Sequence, residues 1–291
     1  MKNTGIADLH IHTNSSDGIH PPSEILPKLR ETGISCIAIT DHDSVEALDE
    51  TKRRAKLFNI RTVTGVELSA EHENADLHFL GYFIDHHKKR FLDYLYLFKR
   101  RRYQRAQEMI EKLAKLNIKI SLDKVIKFAG PGPVGRPHLA DALVDSGYAG
   151  SRNDAFNKYL HNDGPVYVEK YKITSSEVID LIHSIGGAAI LAHPGITCSD
   201  DTIRQLVDSG LDGIEIIHPK HSPEITKNYV KLAGELSILT SGGSDFHGDF
   251  GDTSNLGTYY IDIEEVDRME KYCESKRSEW IPPDDGEEDK S

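Results

Sequence analysis

The sequence has no apolar run long enough to cross a bilayer and no leader ahead of its first strand-like stretch, so no membrane partner is expected. Cysteine is scarce: Cys36, Cys198 and Cys273 stand far apart, without zinc-finger spacing, and read as reduced thiols of a cytoplasmic protein. Positive charge is in deficit, with 35 Lys and Arg against 47 Asp and Glu and a net charge of -12. That balance argues against binding along duplex DNA. It leaves an anionic substrate open, because clustered divalent cations reverse a local potential. A Gly-rich phosphate loop and internal repeats are also absent. The 291 residues suffice for one large domain, or for one domain with an insertion.

What the chain does have is histidine, 15 in all. The opening Asp8-Leu9-His10-Ile11-His12 reads as the end of a strand over Gly5–His12, where side chains alternate faces and His10 and His12 share one. Asp17 follows in a short turn that can fold back over that end. Two imidazoles and a carboxylate converging form half of a transition-metal site.

Six further apolar runs read as strands: Ile34–Thr40, Ile60–Val66, Asp76–Ile84, Gly187–Ala192, Gly213–Ile217 and Leu236–Thr240. Helical patterns over Pro22–Thr32, Ser44–Phe58, Ser175–Ile185 and Thr202–Ser209 separate several of them, with Ser23 and Ser44 as expected N-caps and Gly33 as a stop. Alternation implies parallel strands joined by right-handed crossovers, and polar residues just beyond the strands favour a (β/α) barrel over a doubly wound sheet. Residues 86–172 break the rhythm with helical patterns at Phe91–Leu116, Leu122–Phe128, Arg136–Ser146 and Asn153–Tyr159. They are expected to form a helical insertion capping the barrel mouth, the barrel itself being 1–85 and 173–270. The stretch 282–291 is polar and acidic and reads as a disordered tail.

At or beside the strand ends lie His10, His12, Asp17, His42, Glu67, His78, His193, Asp245 and His247. Taken singly, His42 is a turn residue, Glu67 and Asp245 are helix caps, and His78 is a paired core histidine. Together they are too many for chance and too many for one ion, so two or three divalent metals are implied, with Glu67 bridging. His86, His87, His72 and His161 read as solvated, and Asp41 as a carboxylate that orients a neighbour.

These motifs, with Ser16-Asp17-Gly18, Thr40-Asp41-His42-Asp43, Gly65-Val66-Glu67, His193-Pro194 and Ser244-Asp245-Phe246-His247, resemble those of the polymerase and histidinol phosphatase (PHP) family. The resemblance implies a distorted seven-stranded, TIM-like (β/α) barrel with a trinuclear site that hydrolyses phosphoesters. It implies one ion on His10, His12, Glu67 and Asp245, a second on Glu67, His78 and His193, and a third on Asp17, His42 and His247. Manganese is the first expectation, with iron or zinc as alternatives. His78-Phe-Leu-Gly81, Arg102-x-x-Arg105, Gly135-Arg136-Pro137-His138 and Gly213-Ile-Glu215 leading to His221 are similar to the branch of nucleoside 3',5'-bisphosphate phosphatases. Some of that branch trim short RNAs from the 5' end; the chain has no room for a polymerase.

The expected chemistry is in-line attack on phosphorus by a hydroxide bridging two ions. Asp17 and His218 are candidates for protonating the leaving group. Arg102 and Arg105 share a helix face suited to a second phosphate, and Arg136 and His138 open a helix where an anion fits. His221 is a further candidate contact. Set against these are a solvated helix face, an ordinary loop arginine and an ordinary loop histidine. The partner is therefore expected to be a small anionic phosphate ester, a nucleotide or short RNA. The alternatives are a small metabolite such as histidinol phosphate, or a non-catalytic metal-binding regulator.

Overall fold

In β1 (Ile6–Ile11) Asp8 and His10 alternate with apolar residues, yet nearly the whole strand is buried, because the sheet is covered on both faces. A computed structural model of the chain describes residues 5–73, 75–130, 132–169, 171, 173–248 and 255–280. The expected tail at 282–291 lies outside the described residues. The strands β2 (Ile34–Ile39), β3 (Arg61–His72), β4 (Ala75–Tyr82), β5 (Ala188–Leu191), β6 (Gly213–Ile217), β7 (Leu239–Gly242) and β8 (Ile261–Asp262) join β1 in one sheet of order β7-β6-β5-β4-β3-β2-β1-β8. The ends meet where Ile11 bridges Phe246 and the His12 amide donates to the Phe246 carbonyl at 2.8 Å, so the sheet is a nearly closed barrel. Gly243 sits at this seam: a Cβ there would stand 2.4 Å from the His10 nitrogen, which leaves room only for glycine.

The barrel departs from the all-parallel expectation at β4, which is antiparallel to both β3 and β5. The cause is the connection: only two residues separate β3 from β4, far short of a parallel crossover. β3 runs on to His72, well past Val66, and turns back at Glu73, whose φ is 48°. β8, a two-residue antiparallel partner of β1, is an eighth strand beyond the seven expected.

The helices α1 (Pro22–Arg30), α2 (Leu48–Ala55), α7 (Ser175–Ser184), α9 (Asp200–Asp208) and α10 (Pro223–Leu236) lie in the connections, with a short α8 (Pro194–Thr197) after β5. Neither expected serine cap is one. Pro22 takes the first turn of α1 itself, placing Ser23 inside the helix, and α2 starts only at Leu48. Gly33 does take the left-handed backbone, φ 80°, just beyond α1. Leu236 ends α10 rather than opening β7, with Ser237 left-handed behind it. The final helix α11 (Ile263–Trp280) lies across the starts of the strands: Arg61, first in β3, bonds Asp267 and Glu270, and Tyr272 donates to Asp212 just before β6 at 2.8 Å. That end is closed, and the strand ends bearing the histidines face the other way.

Between β4 and α7 stand α3 (Lys89–Lys115), α4 (Leu122–Ala129), α5 (Arg136–Asp145) and α6 (Arg152–Ala155), the last running into a π-helical turn to Leu160. Phe91 and Leu95 of α3 pack into the barrel-side core, whereas Ala106, Met109 and Leu113 join a separate apolar cluster with α4–α6. Among the described residues no helix is long and apolar enough to cross a membrane.

Candidate metal centre and adjoining cleft

Glu67 projects from β3 into the barrel mouth with 1% of its surface exposed, and its two oxygens face different histidines. Oε2 stands 3.2 Å from His10 Nε2, 3.1 Å from His12 Nε2 and 3.3 Å from His42 Nδ1. Oε1 stands 2.9 Å from His78 Nδ1 and 3.2 Å from His193 Nε2. Asp245 Oδ1 approaches His10 and His12 at 3.4 and 3.3 Å, and Asp17 Oδ1 lies 3.3 Å from His247 Nε2. All nine residues nominated from the sequence thus meet at one place, and neither Glu67 nor Asp245 is a helix cap.

The donor set fits a cluster of divalent ions. Buried nitrogens of His12, His42 and His78, and Asp17 Oδ1, have no hydrogen-bond partner among the described residues, although all point into this cluster. Buried imidazoles and carboxylates left so are costly unless a cation takes their lone pairs. Three groups have their donor atoms within 4.8 Å of one another: His12, Asp17, His42 and His247; His10, His12 and Glu67; and His42, Glu67 and His78. Burial would raise the carboxyl of Glu67, but His42, His78 and His10 hold it well below its ordinary range. Asp17 is treated alike: burial is overcome by His42 and His247.

The supports around the cluster were less legible. Glu215 of β6, fully buried, accepts from His10 Nδ1 at 2.9 Å and from the His193 amide at 2.7 Å. It orients one imidazole and anchors the backbone of another whose φ of 34° is unusual for a side chain of that size. Its sequence signal is slight, one carboxylate in an apolar strand. Asp41 accepts from the Thr13 amide (2.7 Å), Thr13 Oγ1 (2.6 Å) and Ser16 Oγ (2.6 Å), and so holds the turn that carries Asp17. His218 accepts from the Lys220 amide at Nδ1, which places its proton on Nε2, 3.2 Å from Asp245 Oδ2.

A cavity of about 220 Å³ opens beside the cluster, lined by Asp17, His42 and His78 on one side and by Arg102, Arg105, Arg136 and His138 on the other. Arg102 Nη2 donates to Asp43 at 2.5 Å. Arg105 Nε donates to the Val168 carbonyl and Arg136 Nη1 to Leu160 O and Asn162 Oδ1. Neither Arg105 nor Arg136 has a carboxylate partner among the described residues. Burial, then the charges of Arg136 and Arg102, press the Arg105 guanidinium down to about 10. His138 accepts from the Gly135 amide at Nδ1 (3.1 Å), so Nε2 carries hydrogen and has no partner among the described residues. Burial, against the nearby Asp17 and Asp141, lowers its pKa.

His221 is not brought to this cavity. Its Nδ1 bonds the Ile216 carbonyl and its Nε2 accepts from the Gly195 amide, so both nitrogens are used in fixing backbone. Of the histidines read as solvated, His161 is exposed, but His72 bonds Ser175 Oγ and His86 is buried.

A PHP domain model matches residues 8–120 of the chain. Over 83% of its length the chain is 36% identical to the 5'-3' exoribonuclease Rnm of Escherichia coli, covering 85% of that protein. It is 30% identical to the 3',5'-nucleoside bisphosphate phosphatase of Chromobacterium violaceum, over 86% of the chain and 92% of the relative. The crystal structure of a Bifidobacterium adolescentis protein described as a metal-dependent phosphoesterase superposes with a TM-score of 0.83 at 28% identity, covering 92% of this chain and 96% of that one. With its barrel, its convergent histidines and carboxylates and these likenesses, the chain belongs to the PHP family and is a metal-dependent phosphoesterase.

Proposed function

We propose that the chain hydrolyses nucleotide phosphate esters, removing the 3'-phosphate of nucleoside 3',5'-bisphosphates or the 5'-terminal nucleotide of short RNA. The observation that carries this is the cavity wall. Arg102, Arg105 and Arg136 converge beside the metal-ligand cluster, and among the described residues neither Arg105 nor Arg136 is in ion-pair contact with a carboxylate, although Asp76 also lines the cavity. Crowded, desolvated cations are stabilised by an anion, and divalent ions on the cluster would take a different phosphate. Two phosphate sites side by side in one cavity suit a bisphosphate or an RNA 5' end. The names of the two relatives point the same way.

His10, His12, Glu67 and Asp245 would hold one ion, Glu67, His78 and His193 a second, and Asp17, His42 and His247 a third. Manganese suits the mixture of imidazole and carboxylate. Divalent ions so bound supply Lewis acidity toward the phosphoryl oxygens and activate water for attack. Arg105 and Arg136 bind the second phosphate and so fix the nucleoside, while His138 donates its Nε2 hydrogen to the same group. Asp17, held ionised, is a ligand rather than a proton donor, and His218 commits its Nε2 proton to positioning Asp245. Residues 86–172 act as the cap that brings α3 and α5 over the barrel formed by 1–85 and 173–270. The net charge of -12 leaves duplex DNA outside this range of substrates.

Phosphate and nucleotide release by manganese-loaded protein tests the reading, with adenosine 3',5'-bisphosphate, 5'-AMP, histidinol phosphate and a short 5'-phosphorylated RNA side by side. Bisphosphate or RNA is expected to lead; preference for histidinol phosphate would discard the nucleotide assignment. Arg136→Ala should raise KM for the bisphosphate by about 10- to 100-fold, the worth of a charged hydrogen bond of roughly 1.5–3 kcal/mol, with kcat changed little. An unaltered KM would remove Arg136 from the phosphate site. Glu215→Gln should weaken metal retention by about 10- to 100-fold, as is usual for groups that orient ligands. Dialysis against graded chelator measures this, and retention equal to wild type counts against the role.

A further inference from the structure

We propose that Asp49, His86 and His87 form a second, separate site for one zinc-class divalent cation. None of the three belongs to the metal-ligand cluster; His86 and His87 follow β4, eight and nine residues beyond His78. Asp49 Oδ1 lies 3.2 Å from His86 Nε2 and 3.7 Å from His87 Nε2, and the three donor atoms all fall within 4.8 Å of one another. Zinc bonds of about 2.0–2.1 Å in a tetrahedron set neighbouring donors roughly 3.3 Å apart, close to what is observed.

The local backbone explains how two consecutive histidines reach the same oxygen. Asp85 Oδ1 accepts from the His87 amide at 3.2 Å and fixes the turn, and the two rings lie side by side with centroids 4.0 Å apart. Both imidazoles present Nε2, the atom a metal would use. His86 is buried, whereas the side chains of Asp49 and His87 are about two-thirds exposed (66% and 67%), so a cation can enter and keep an open position for water. Two imidazoles and one carboxylate suit zinc better than calcium or magnesium. A cation there would clamp the first turn of α2 to the turn that opens α3, the helix carrying Arg102 and Arg105.

The test is a zinc count. Metal-free wild type, His87→Ala and Asp49→Asn are dialysed to equilibrium against zinc, and protein-bound metal is measured; a second set is first loaded with manganese. Wild type is expected to hold one zinc equivalent more than either variant in both sets, with manganese content and phosphate release the same in all three proteins. Competition with a coloured chelator should show that last equivalent weakened at least tenfold in each variant. Equal zinc counts and affinities in all three proteins would overturn the proposal. Because both substituted side chains are exposed, matching circular dichroism spectra will exclude misfolding as the cause of a lost equivalent.

Discussion

Glu67→Gln is expected to empty the metal centre and to lower kcat/KM by at least about 10³-fold. Glutamine has the shape of glutamate but no charge, and one of its two terminal atoms is a donor. In the native cluster both oxygens of Glu67 face imidazole nitrogens, Oε2 those of His10, His12 and His42, Oε1 those of His78 and His193. A single neutral oxygen cannot serve both groups. An amide nitrogen would direct hydrogen at imidazole nitrogens whose lone pairs a cation should take. Metal polarisation of phosphoryl oxygens is worth several kcal/mol, and each 1.36 kcal/mol is a factor of ten in rate. Metal content and phosphate release should therefore fall together. Wild-type metal content with turnover within tenfold of normal would show that Glu67 is not the bridge.

How much of this was legible follows from how far each signal reaches along the chain. His10 and His12 declare themselves because strand periodicity is local, and Glu67, His193 and Asp245 because each ends an apolar run. Their convergence needed only the barrel. Glu215 entered only as part of a motif shared with the branch, with no task attached: in Gly213-Ile-Glu-Ile-Ile217 it reads as any carboxylate on a strand. Only pairing across 205 residues, with His10, reveals its task. The antiparallel β4 was missed because an apolar run carries no direction, and the deciding fact was a two-residue connection hidden in a longer β3. Ser44 failed as a cap because Asp43, left-handed at φ 48°, turns the chain there to bond Ser69 and Arg102, delaying the helix to Leu48. His221 lies away from the cavity and spends both nitrogens on backbone, and no sequence pattern tells that use from a ligand contact.

Asp41→Ala should cost both stability and catalysis, although Asp41 is outside the metal-ligand set. Its carboxylate, 1% exposed, receives three hydrogen bonds from Thr13 and Ser16 at 2.6–2.7 Å. Alanine leaves an amide and two hydroxyls buried without that acceptor. At about 1–3 kcal/mol for each buried group stranded, partly recovered by hydroxyl rotation, the expected loss of folding free energy is about 3 kcal/mol. The Thr13–Gly18 turn, which also closes through the Gly18 amide on the Thr13 carbonyl, then loses the tether that aims Asp17 at His12, His42 and His247. Activity should fall by about 10- to 100-fold with metal restored, the usual cost of removing an outer support of a ligand. Urea unfolding of metal-free protein reads the first effect and turnover at saturating manganese the second. A stability loss with full activity would mean that metal binding alone positions Asp17. Loss of neither would mean that Thr13 and Ser16 find other acceptors, and that the turn is held by its own backbone.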